Sequence, residues 1–89
     1  MTALPIMPLD GPLTLRTVAA RLERALPAGD FALDLGGVTQ VDSAALALLL
    51  AWARRAKARG SRIELRALPE SLHALARLYG IDALLPLAA

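Results

Sequence analysis

Asp42-Ser43 stands at the head of a run of alanines and leucines in LDLGGVTQVDSAALALLL, residues 33–50. A serine at a helix start offers three chemistries. Its hydroxyl can attack an electrophile if a neighbouring base takes the proton. It, or the Asp42 carboxylate, can accept a backbone N–H as a helix cap, a contribution of about 1 kcal/mol. It can also carry a phosphoryl group, which the helix dipole and the free N–H groups of the first turn tolerate. The first chemistry lacks its partners. His73 is the only histidine, it falls in a different predicted helix, and the chain has no cysteine. The same shortage leaves no ligand set for a metal. Gly36-Gly37 is not followed by Gly-Lys-Ser/Thr and makes no phosphate loop. Asp34 and Asp42 read as a strand-end residue and a cap rather than as an acid–base pair. No catalytic residue, metal or cofactor is expected.

Charge is the second chemical signal. Arg54, Arg55, Lys57, Arg59, Arg62 and Arg66 lie within thirteen residues, opposed there only by Glu64. Such a cluster can meet phosphate or an acidic partner surface. It equally suits the negative end of a helix dipole. The cluster has no interleaved aromatics and belongs to no recognisable module, and the net charge is only +2, so nucleic-acid binding is not expected.

The elements that must position these residues follow from pattern. Eighty-nine residues suffice for a single domain, 1–89. Hydrophobic residues make up 56% of the chain but include one Trp, one Tyr and one Phe, so the core must be aliphatic. The absence of cysteine fits a reducing compartment. MTALPIMPLDG lacks a basic segment and carries two prolines, unlike a signal peptide. The longest apolar run, residues 44–53, is about half a bilayer span. A soluble, cytoplasmic domain with no membrane insertion is expected.

Residues 4–9 read as an edge strand because Pro5 and Pro8 cannot donate to a ladder. Asp10-Gly11-Pro12 has turn chemistry. Leu15, Val18, Ala19, Leu22 and Leu26 predict an amphipathic helix over residues 15–26, with Thr14 as its cap. Residues 31–35 form a short strand with Gly36-Gly37 after it, and residues 38–41 lead into a second helix over 43–59, stopped by Gly60. RIELRA, residues 62–67, alternates as a strand. A third helix runs from Pro69 to about Tyr79, whose ring either packs at the helix end or makes a secondary partner contact, and residues 81–87 form an apolar tail. The order is β-α-β-α-β-α, an α/β domain with a small mixed sheet.

The second helix is apolar on too many sides. At 100° per residue, Leu46, Leu49, Leu50, Ala53 and Ala56 share one stripe, the expected core face. The opposite arc holds Ala44, Ala47, Leu48 and Ala51, then Arg54, Arg55, Ala58 and Arg59, with Trp52 at the border. Small and aliphatic residues rimmed by arginines predict a docking surface.

LDLGGVTQVDSAALALLL resembles the signature of STAS domains: a strand ending in Asp-Leu, a short loop, then Val-Asp-Ser/Thr and a helix opening with small residues and leucine. The strand–helix order is similar to that family over residues 4–87. Within it, SLHALARLYGIDALLPL (71–87) and LALLLAWARRAKARG (46–60) are similar to the MlaB type. Anti-sigma-factor antagonists more often carry a second serine and a glycine where Ala44 and Ala45 follow Ser43. The family's opening hairpin has its first strand missing or reduced here, and an uncovered first edge is compatible with homodimerisation.

The resemblance implies a non-catalytic accessory protein. MlaB-like proteins bind the cytoplasmic ATPase of a phospholipid ABC transporter, alongside its permease, in Gram-negative bacteria. That would place the chain in the cytoplasm, peripheral to the inner membrane through its partner. Carried residue by residue, the contact comprises Asp42, Ser43, Ala44, Ala47 and Leu48, flanked by Ala51, Trp52 and Arg55. The alternative is an anti-sigma-factor antagonist switched by phosphorylation of Ser43.

Overall fold

The computed structural model describes residues 4–86. Strand β1 (Ile6–Leu13) leads to helix α1 (Val18–Leu22), β2 (Phe31–Val41), α2 (Ser43–Ala58), β3 (Ile63–Arg66) and α3 (Glu70–Leu78), followed by a 3-10 turn at Asp82–Leu84. The sheet order is β1-β2-β3, and both pairings are parallel. The expected α/β order therefore holds, but the sheet is parallel where a mixed one was expected. The antiparallel member would have come from an opening hairpin, and no strand precedes β1 among the described residues. Each parallel connection must cross over, and each carries a helix.

One face of the sheet makes the core. Met7, Leu33 and Leu65 stand level across the three strands, with Phe31 beside Ile63. Leu9, Leu13 and Leu35 extend this face, and α2 and α3 cover it through Leu49, Trp52, Ala56, Leu72 and Ala76. Helix α1 packs on α2, and α2 on α3. The opposite sheet face carries exposed Ile6, Pro8 and Asp10 and the half-buried pair Glu64 and Arg66, joined at 3.2 Å.

Three elements depart from their sequence-based bounds. β1 starts later than residue 4 and runs through Asp10-Gly11-Pro12, read above as a turn. Two register shifts, at Pro8/Asp10 and Gly11/Pro12, absorb these residues as irregularities within the strand. β2 likewise continues through Gly36-Gly37 to Val41, so the expected loop is strand. Gly37 lies opposite Asp10, whose carboxylate occupies the space a Cβ would take and would have to turn aside for one. The largest departure is α1, five residues long where twelve were expected. Thr14 does not cap it. The Thr17 hydroxyl accepts the Thr14 N–H at 3.0 Å and donates to the Pro12 carbonyl at 2.8 Å, holding the entry as a turn.

The rest follows the pattern. Gly60 ends α2 at φ +77°, its N–H donating to Lys57 and that of Ser61 to Ala56. The expected apolar tail packs back through Leu85, which is buried, and the Pro86 carbonyl accepts the Leu65 N–H of β3 at 2.8 Å. Leu87 lies outside the described residues. Tyr79 is exposed, so of its two readings the structure does not bear out packing at the helix end.

Candidate partner-docking site at the heads of two helices

β1 and β2 stay paired to their last residues, Leu13 opposite Val41, so two chains leave the sheet side by side. Both exits turn into helices, and Asp42 joins them. Its Oδ1 accepts the Ala44 N–H at 2.9 Å, which caps α2. Its Oδ2 accepts the Leu15 N–H at 3.0 Å, which ties the approach to α1 against the head of α2. Both oxygens are thus engaged with main-chain donors. Ser43 beside it is exposed, and Asp42 performs the capping. The serine hydroxyl is left facing solvent at the N-terminal end of a sixteen-residue helix.

Between the two helices runs an open groove of about 740 Å³. One wall is Leu15, Val18, Ala19 and Leu22; the other is Asp42, Ser43, Ala44, Ala47, Leu48 and Ala51. Aliphatic side chains make up nearly all of it, and its polar end is the Asp42-Ser43 pair. Leu15, at 77% exposure, stands on the lip like an unburied knob.

Six of the eight expected contact residues therefore lie together: Asp42, Ser43, Ala44, Ala47, Leu48 and Ala51. Leu48 is placed differently from expectation. It is only 3% exposed and belongs to the core cluster, forming the groove floor instead of an outer face. The buried face of α2 comprises Ala45, Leu46, Leu48, Leu49, Trp52 and Ala56, so Leu46, Leu49 and Ala56 lie in the core as expected while Leu50 and Ala53 are half-buried at its edge.

The other two expected residues stand behind the site. Trp52 is fully buried, with no hydrogen-bond acceptor for its Nε1 among the described residues, so it supports the groove from within. Arg55 donates from both guanidinium nitrogens to the Leu22 carbonyl, at 3.2 and 3.3 Å, and clamps the end of α1 to α2.

The α1 wall was missed as part of the site, because its apolar stripe read as a core face. None of the residues in α1 is buried. The signal available was a surplus: helices 1 and 2 together present more apolar surface than three short strands can cover. Among the described residues no group of His, Cys, Asp and Glu could hold a metal, and His73 sits half-buried on α3, away from the groove. No helix of the described residues is long and apolar enough to cross a membrane.

A family model described as the MlaB-type STAS domain matches residues 4–86, nearly the whole chain. The chain belongs to the STAS family. Among solved structures, a sulfate transporter family protein from Wolinella succinogenes shares the fold with a TM-score of 0.72 at 20% identity, the match covering 93% of this chain and 74% of that one. No curated protein shows a significant sequence match. STAS domains are generally non-catalytic and commonly mediate protein–protein contacts, and the family includes transporter-associated members and anti-sigma antagonists.

Proposed function

We propose that this STAS domain is a non-catalytic subunit that docks, through the α1–α2 groove, on the ATPase of a phospholipid ABC transporter of the Mla type. The observation that carries the reading is the groove itself. It is an apolar trough left open at the heads of two helices, with Asp42 and Ser43 at its polar end. Burying one exposed aliphatic side chain such as Leu15 in a partner is worth about 1.5–3 kcal/mol, so a few such contacts suffice for stable assembly. Alanines at 44, 47 and 51 let a partner backbone come close, and Ser43 offers a hydrogen bond at the edge. Such a subunit would sit in the cytoplasm at the inner membrane, held there by the ATPase and permease.

Co-purification of the tagged chain with the host's transporter complex tests this. The wild type is expected to bring down the ATPase, and Ala47→Arg, which fills the groove with a charged chain at an exposed position, is expected to lose it. Retention by the variant would contradict the reading.

Exposed Ser43 supports a second reading, an anti-sigma antagonist switched at that residue. A phosphoryl group there adds about 1.5–2 negative charges beside an apolar groove. Recovery of a kinase-like anti-sigma factor with phosphorylated Ser43, in place of the ATPase, would select it.

A further inference from the structure

The two outer strands of the sheet, β1 and β3, each have one edge with no strand beside it among the described residues. Such an edge is a template on which another extended chain can add. Which residues of β1 face that edge follows from its pairing. The Pro5 carbonyl accepts the Ala32 N–H at 2.8 Å and the Leu13 carbonyl accepts the Asp42 N–H at 3.4 Å, so at both ends of β1 the odd-numbered residues turn their main chain toward β2. Both register shifts put their extra residue in β2 and leave the alternation along β1 unbroken. Ile6, Pro8, Asp10 and Pro12 therefore present their main-chain groups outward. Pro8 and Pro12 have no N–H to offer there. The carbonyls of Asp10 and Pro12 are already taken, by the Arg21 guanidinium and the Thr17 hydroxyl. What remains in a row is the N–H and carbonyl of Ile6 and the carbonyl of Pro8, less than the length of a strand.

β3 is closed by a different piece of the chain. The Arg62 carbonyl accepts the Phe31 N–H at 3.0 Å, which turns Arg62, Glu64 and Arg66 toward β2 and leaves Ile63 and Leu65 facing outward. The Leu65 N–H donates to the Pro86 carbonyl at 2.8 Å, and Pro86 has no N–H to pass on to a further strand.

We propose that both edges of the sheet are closed to strand addition by the chain's own residues, so that a second copy of this chain does not join the sheet. The homodimer that an uncovered first edge would allow is thereby excluded at that edge, even though β1 is eight residues long and Ile6 is 54% exposed. Two of the groups that close it, Thr17 and Arg21, come from the same segment that forms a wall of the groove, so this segment guards one surface while it shapes another.

Residue-resolved amide exchange of the full chain over a series of concentrations tests this. Met7 and Leu9, whose N–H groups point at β2, are expected to exchange at least about a hundredfold more slowly than Ile6 and Asp10 at every concentration. Slowing of Ile6 and Asp10, or of Ile63 in β3, as concentration rises would show a strand adding there and would overturn the closure. P8V/R21A returns an N–H at position 8 and frees the Asp10 carbonyl, which opens an unbroken edge over residues 6–10, the length of a common strand. This variant is expected to scatter light as a larger species than the wild type and to gain protection at Ile6 and Asp10. Circular dichroism and urea unfolding check its fold. A folded P8V/R21A that associates no more than the wild type would overturn the assignment of the closure to these residues. If the variant does not fold, the wild-type concentration series decides by itself.

Discussion

The two walls of the groove are built by opposite means. α2 is anchored by packing: six of its residues are buried, and Asp42 caps it. α1 is anchored mainly by polar ties, with Val18 packed against the core beside α2. Its residues are at most half-buried, and it is held by Leu15 on Asp42, Thr17 on Pro12, Arg21 on the Asp10 carbonyl and Arg55 on the Leu22 carbonyl. Surface hydrogen bonds of this kind contribute about 0.5–1.5 kcal/mol each, whereas a fully buried leucine contributes about 1.5–3 kcal/mol. The comparison teaches that one wall is part of the folding core and the other is a strap laid against it.

The largest effect should come from the packed wall. Leu49→Ala, at a fully buried position, is expected to cost about 2–5 kcal/mol in urea unfolding. Val18→Ala in the strap should cost about 1 kcal/mol or less. Similar losses for both would erase the distinction.

Asp42→Ala removes the cap and the Leu15 tie together, and is expected to cost about 1–2 kcal/mol. Amide exchange should accelerate in both helix heads, with Asp42→Asn retaining most of the protection. The smallest stability effect sharpens the comparison most. Leu15→Ser, on the lip and 77% exposed, should change stability by less than about 0.5 kcal/mol while weakening binding to the proposed ATPase partner.

How much of this was legible in the sequence depends on how local each cause is. The Asp42 cap, the Gly60 stop and the three strand–helix alternations rest on neighbours in the chain, and they appear where the pattern put them. The gathering of Asp42, Ser43, Ala44, Ala47, Leu48 and Ala51 was legible because a helix fixes its own faces. The rotation of that helix was not. Leu48 forms a floor beside the α1 residues, and Trp52, read as a border residue, belongs to the core cluster. Glycine and proline at 10–12 and 36–37 were read as breaks because each is a turn former alone. Cross-strand pairing decided otherwise, placing Gly37 opposite Asp10 within a continuous strand. α1 was overestimated because an amphipathic stripe does not say whether its apolar side meets a core or is left for a partner.

Amide exchange of the full chain, alone and bound to the transporter ATPase, tests the central claim most directly. Docking through the groove predicts added protection in residues 14–22 and 43–51 on binding, with β3 and α3 unchanged. Protection confined to the other exposed apolar group, Leu78, Tyr79 and Leu84 at the far end of α3, would contradict it.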